Sequence, residues 1–127
     1  MGEGSGQSGA ELKRGEIWWA DLGACRPREQ TGQRPVVIWQ SDTLTSRLQS
    51  ILVVPLTTNL ERANLAGTAM IEALPPSGPP RIPLLLAFQM RAVPRSALAE
   101  KIRDLTESEL EELELATDEA LGRVEPK

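Results

Sequence analysis

The fold class is decided by the stretch RPVVIWQ, residues 34–40. The run VVIW at 36–39 is apolar and mostly β-branched, which is typical of a buried strand. Pro35 precedes it at the first strand position, where proline is tolerated. Similar runs predict strands at EIWWADL (16–22), SILVVPL (50–56) and LLLAFQMR (84–91). Weaker strands are predicted at 69–73 and 100–103. Several short strands at close spacing indicate an antiparallel, mainly β fold.

The C-terminal part has a different pattern. The sequence TESE at 106–109 is a capping box, in which a threonine hydroxyl and a glutamate side chain satisfy the first backbone donors of a helix. Apolar residues then recur at helical spacing, at Leu110, Leu113, Ala116, Ala120, Leu121 and Val124. Loops are predicted at 23–33, at 41–50 with a helical turn, and at the proline-rich 74–83. The prediction is an α+β fold: a small antiparallel β-barrel with a C-terminal helix.

The composition limits both domain number and chemistry. A chain of 127 residues is one domain of ordinary size, predicted at 13–122 between a Gly/Ser-rich flexible arm (1–12) and a short tail (123–127). The chain has no His and a single Cys, Cys25. These counts exclude Ser-His and Cys-His couples, His-ligated metals, zinc clusters and an internal disulfide. No apolar run is long enough to span a membrane and no signal peptide is evident, so a cytoplasmic location is expected.

The charge is unevenly distributed along the chain. The net charge is −4 overall, yet residues 1–95 hold 10 basic and 8 acidic side chains, and residues 96–127 hold 4 basic and 10 acidic ones. The acidic excess therefore belongs to the segment of the predicted helix. The remainder carries a small positive excess, which suits a polyanionic ligand.

Four motifs in order give the sequence a family resemblance: GEIWWAD (15–21), EQTGQRPV (29–36), VPLT (54–57) and QMR (89–91). The series resembles the MazF/PemK (Kid) family of toxin endoribonucleases from type II toxin–antitoxin pairs, over roughly residues 13–121. The resemblance implies the SH3-like barrel of PemK/CcdB-type toxins. Two departures lie near the late strand: the approach LPPSGPP (74–80), and AVP (92–94) where the family often has Thr, an apolar residue and Asp.

The resemblance implies that Arg34 and Thr57 form the catalytic pair. A guanidinium presents a rigid fork that matches phosphate oxygens, and a threonine hydroxyl can bond the same phosphate. In RNA the 2′-hydroxyl supplies the nucleophile, so the protein needs a proton acceptor, a proton donor and charge stabilisation. Glu29 is one candidate for the acceptor; in the other reading Arg34 acts as acid only. No metal and no cofactor is implied.

Further residues are candidates for contacts to RNA. Cations and polar groups beside the motifs suit backbone or base contacts, and Trp18 and Trp19 point to opposite faces of one strand, so one of them can stack on a base. The predicted RNA-binding residues are Arg26, Arg28, Gln30, Trp18, Gln89 and Arg91. The expected partners are single-stranded RNA, a MazE-like antitoxin whose acidic tail competes for the RNA groove, and a second copy of the chain.

Two other functions compete with RNA cleavage. CcdB-type gyrase poisons share the fold and inhibit a protein without cutting RNA, and a cleavage-dead relative would only bind nucleic acid or its antitoxin. The pair Arg34 and Thr57 distinguishes these readings, because a gyrase poison has no need of it.

Overall fold

The computed structural model describes residues 11–22, 33–57, 61, 63, 65–72 and 83–124. Within them, seven strands are formed: β1 (Glu16–Asp21), β2 (Gln33–Ile38), β3 (Ser50–Thr57), β4 (Thr68–Met70), β5 (Leu84–Leu86), β6 (Arg91–Pro94) and β7 (Leu98–Asp104). The helices are a single turn, α1 (Asp42–Thr45), and the long α2 (Glu107–Ala120), with 3-10 turns at Ala87–Gln89 and Arg95–Ala97. The prediction of antiparallel strands followed by a helix is confirmed.

All strand pairs are antiparallel, and they follow the order β4-β5-β3-β2-β1-β7, with β6 also paired to β3. Two apolar clusters pack against the sheet. Cluster 1 lies between one face of the sheet and α2, and includes Leu113 and Ala116. Cluster 2 lies on the other face and draws its residues from β1, β2, β3, β6 and β7, together with Leu12. Because β4 and β7 are not paired to each other, the predicted barrel is not closed among the described strands.

The predicted strand at 84–91 is wrong in one respect: it is two strands separated by a 3-10 turn. β5 pairs with Leu56 and Thr57, whereas β6 pairs with residues 50–53. The N–H of Trp39 donates to the carbonyl of Leu52 at 3.0 Å, so the peptide groups of Leu52 face β2. Peptide groups alternate between the two edges of a strand, so the nitrogen of Pro55 faces β5 and β6. Proline has no N–H to donate, and the ladder is interrupted there.

Leu12 lies at the predicted end of the N-terminal arm. Residues 1–10 lie outside the described part of the chain, and Leu12 is 6% exposed and packs in cluster 2. Burying a leucine removes apolar surface from water and stabilises the fold. The bounds of the domain stay a prediction. At the other end, α2 is followed by a turn in which Arg123 pairs with Asp118.

The capping box of α2 is present and also anchors the helix to the sheet. The backbone N–H of Glu109 donates to the hydroxyl of Thr106 at 3.1 Å, and the Glu109 carboxylate accepts from the N–H of Thr106 at 2.9 Å. The same carboxylate accepts hydrogen bonds from both Arg103 Nη groups, at 2.8 and 3.2 Å, and from the backbone N–H of Glu72 at 2.9 Å. Glu109, in the first turn of α2, thus connects the end of β7 with the segment that follows β4.

These contacts decide the protonation of Glu109. Burial by itself raises the pKa of this carboxyl, but the hydrogen bonds from Arg103, Thr106 and Glu72 favour the ionised form, and the net effect lowers the pKa below its ordinary value. The side chain is 7% exposed and that of Arg103 is 22% exposed. The Glu109 carboxylate therefore forms a buried, bidentate ion pair with Arg103, and each of its two oxygens accepts two hydrogen bonds.

Candidate active site

The register of β2 and β3 bears on the predicted pair Arg34 and Thr57. β2 and β3 pair through Val36 with Pro55, Val37 with Val54 and Ile38 with Val53. The paired residues end there, and extending the same register by two residues aligns Arg34 with Thr57. Residues opposite each other in an antiparallel pair have Cβ atoms about 5 Å apart and point to the same face. By this extension the two predicted catalytic residues, 23 positions apart in the chain, share one face of the sheet; their catalytic role stays a prediction.

The pair belongs to a row that crosses the sheet. Register continues from Arg34 to Ala20 and Leu98 on one side, and from Thr57 to Leu84 and Met70 on the other. This row lies on the face of cluster 2. Arg34 precedes Val36 and Ile38 of that cluster by two and four residues, and side chains at such spacing on a strand point to the same face. Arg34 is exposed and Thr57 is half-buried at the rim. A guanidinium and a hydroxyl at a rim, on stiff strands, can hold one phosphate from two sides.

The electrostatics of this face favour an anion. Arg34 and Arg91 are exposed, and neither forms an ion pair with an acidic side chain of the described residues. The helix α2, which carries most of the acidic excess, packs through Leu113 and Ala116 on the opposite face. The acidic helix thus lies on the face opposite Arg34 and Arg91, which leaves these two exposed arginines away from its carboxylates.

The sequence matches one family model over residues 13–121: PemK-like, MazF-like toxin of type II toxin–antitoxin system. The chain belongs to this family. It is 32% identical over 111 residues to the endoribonuclease MazF of Staphylococcus epidermidis, with 87% of this chain and 92% of that protein covered. The MazF of Staphylococcus saprophyticus is 31% identical over the same length.

Solved structures share the fold. A mycobacterial endoribonuclease in complex with its cognate antitoxin superimposes with a TM-score of 0.71 and 22% identity, covering 92% of this chain and all of that one. MazF from Deinococcus radiodurans superimposes with a TM-score of 0.69 and 21% identity, covering 89% and 98% of the two chains. At these identities the likeness establishes the PemK/MazF toxin fold, and the early motifs fall on β1, β2 and β3 of it.

Trp18 is largely buried in the fold. It is 7% exposed, packs in cluster 2, and its indole N–H donates to Glu16 Oε1 at 2.9 Å. The ring is thus part of the core, and its contact with RNA stays a prediction. Trp19, on the opposite face of β1, is the half-exposed member of the pair.

Gln89 and Arg91 lie where the 3-10 turn between β5 and β6 ends and β6 begins. Gln89 is the last residue of the 3-10 turn and Arg91 is the first of β6, and both are exposed. Arg91 lies opposite Val53, which shares a face with Thr57 four residues further along β3. With about 3.3 Å per residue along β3 and about 4.8 Å between strands, the backbones of Arg91 and Thr57 are about 14 Å apart. The register therefore places Arg91 on the same face as Thr57, farther along the sheet.

Four predicted site residues lie outside the described part of the chain: Arg26, Arg28, Glu29 and Gln30. The connection that holds them joins β1 to β2 and so begins and ends beside Ala20 and Arg34. Their roles remain predictions.

No group of three or more His, Cys, Asp or Glu side chains of the described residues is arranged to hold a metal ion. No helix among them is long and apolar enough to cross a membrane.

Sequence patterns missed a network around Trp39. The Arg14 guanidinium lies 3.9 Å from the centre of the Trp39 ring and donates to Glu114 at 3.1 Å, while the indole N–H donates to Thr117 at 2.8 Å. These partners are up to 100 residues apart, so no local motif reveals them. They attach α2 to the start of the domain and lie on the face opposite Arg34 and Thr57.

Proposed function

We propose that this chain is the toxin of a type II toxin–antitoxin pair and cuts single-stranded RNA without a metal, by attack of the 2′-hydroxyl on the adjacent phosphate. The single observation that supports the chemistry is the pairing of β2 with β3, whose register, extended two residues beyond Val36 and Pro55, aligns Arg34 with Thr57. Membership of the PemK/MazF family and the identity to a staphylococcal MazF endoribonuclease support RNA as the substrate.

The reaction is a transesterification. The 2′-oxygen bonds to phosphorus, the bond from phosphorus to the 5′-oxygen breaks, and the products are a 2′,3′-cyclic phosphate and a 5′-hydroxyl. Arg34 stabilises the charge that develops on the non-bridging oxygens, which is where a fixed cation lowers the barrier most. Thr57 hydrogen-bonds the same phosphate. In this scheme the 2′-hydroxyl proton goes to Glu29, because a guanidinium stays protonated at neutral pH and is a poor acceptor. The leaving 5′-oxygen takes a proton from the Arg34 guanidinium, acting as the acid, and Arg34 regains a proton from the protonated Glu29 or from water.

The proposed partners follow from the same family. The mycobacterial and Deinococcus relatives include complexes with antitoxins, and we extend that partnership to this chain, with a MazE-like antitoxin competing with RNA for the face of Arg34 and Arg91. A homodimer in the cytoplasm is part of the proposal. Both the RNA contacts and the antitoxin contacts are assigned to the face that carries Arg34 and Arg91 rather than to the acidic helix α2.

Incubating the purified chain with a long RNA in excess EDTA tests this function. Because no step uses a metal, discrete cuts are expected at the same positions and the same rate, within about twofold, with and without the chelator. The cut positions are mapped by primer extension. Cuts that vanish in EDTA and return with Mg²⁺ would contradict the metal-free scheme. No cuts under either condition, with the protein folded, would favour the gyrase-binding or cleavage-dead alternatives.

A further inference from the structure

Met70 stands in line with the catalytic candidates although no motif includes it. Thr57 lies opposite Leu84 on β5, and Leu84 lies opposite Met70 on β4. Opposite residues share a face, so Met70 points to the same side of the sheet as Thr57. With strands about 4.8 Å apart, two steps across the sheet separate them by roughly 10 Å.

Exposure distinguishes Met70 from its neighbours. Its side chain is 54% exposed, whereas Leu84 between it and Thr57 is 1% exposed and Ala69, on the other face, is 5% exposed. A single exposed apolar residue is common and by itself means little. Here the exposed residue ends a cross-strand row that also holds a guanidinium and a hydroxyl, so its position is defined relative to the reacting phosphate.

No aromatic side chain stands in this row. The chain has three Trp, one Phe and no Tyr. Trp18 and Trp39 are buried, Trp19 points to the opposite face, and Phe88, which is 38% exposed, lies beside Gly67. Methionine offers a polarizable apolar surface to an aromatic ring, and Met70 is the exposed apolar side chain of the row.

We infer that Met70 contacts the nucleobase next to the cleaved phosphodiester and helps to set the sequence preference of the nuclease. The inference rests on the proposed function. A phosphate held between Arg34 and Thr57 leaves the adjoining base within reach of the β4 edge. The apolar contact favours one base or base class at that position, and replacing the side chain with a smaller one removes the discrimination.

The test compares wild type with Met70→Ala and Met70→Leu on short RNAs that differ only at the nucleotides flanking the cut. An apolar contact of this kind is worth about tenfold in kcat/KM, so Met70→Ala should lose about tenfold on the preferred RNA and little on the others. Met70→Leu should retain most of the preference. Leu44→Ala, which removes an equally exposed apolar side chain on α1, should behave as wild type. An unchanged preference in Met70→Ala would overturn the inference.

A binding arm separates this inference from the proposed function. The same RNAs, made non-cleavable by 2′-O-methyl groups at the cut, are titrated against each variant by fluorescence anisotropy. If wild type binds with a base preference that Met70→Ala loses, Met70 is confirmed even when no RNA is cut, and only the proposed chemistry fails. If wild type and Met70→Ala bind all the RNAs alike, and either cut them with the same preference or do not cut them at all, the role of Met70 is contradicted.

Discussion

Arg34→Ala is expected to lower the rate of RNA cleavage by about 10²–10³-fold, the usual cost of removing one fixed donor from a developing oxyanion. Arg34 is exposed at the end of β2, so its truncation should leave the melting temperature within the small range typical of surface substitutions. The measurement is the single-turnover rate on an RNA with one mapped site, together with the thermal midpoint of each variant.

The matched control is Arg47→Ala, which removes another exposed arginine that follows α1 and is not in the row with Thr57. It should cut at close to the wild-type rate. Equal losses in the two variants would indicate a general effect of positive charge on RNA binding. A fully active Arg34→Ala would remove Arg34 from the mechanism.

Glu109→Ala is expected to cost about 3–5 kcal/mol of unfolding free energy, because it leaves the Arg103 guanidinium without its partner in a largely buried site. The loss includes the acceptor for the N–H groups of Thr106 and Glu72. Chemical denaturation with a fitted midpoint and slope measures it. Glu112→Ala, which truncates an exposed glutamate of the same helix, should stay within about 0.5 kcal/mol of wild type.

The pH dependence of the same pair of proteins identifies the cause. The folded state lowers the pKa of Glu109, so its carboxylate contributes stability that is fully present above the ordinary glutamate pKa. That contribution is lost as the pH falls through the lowered value. Wild type and Glu109→Ala should therefore converge as the pH drops below about 4. A difference that stays constant into acid would mean that Glu109 stabilises by packing alone.

Local signals predicted the elements whose determinants are local. The capping box at 106–109 and the apolar spacing after it contain everything that begins α2, so the helix was predictable from the sequence. The interruption between β5 and β6 was not, because its cause is Pro55 on a different strand. A predicted strand at 84–91 satisfies every local criterion, and only the pairing with β3 shows where its ladder must stop.

The candidate site depends on motifs and on strand register. Arg34 and Thr57 come from motifs that resemble the family's, and their catalytic role stays a prediction. The register of β2 with β3, which bears on that role, is enforced by the buried runs on both strands. The choice between Trp18 and Trp19 was not available, since alternation says that they face opposite ways without saying which face is enclosed. Met70 carried no signal, because its significance depends on two strand pairings outside its own segment.

The central claim, that the RNA supplies its own nucleophile to a phosphate held by Arg34 and Thr57, is tested most directly with one atom removed from the substrate. An RNA with a single mapped cut is compared with the same RNA carrying 2′-deoxy only at the nucleotide 5′ to that cut. The account predicts that the first yields a 2′,3′-cyclic phosphate and a 5′-hydroxyl, and that the second is bound with similar affinity but not cut. Cleavage of the deoxy-substituted RNA at the same bond would contradict it.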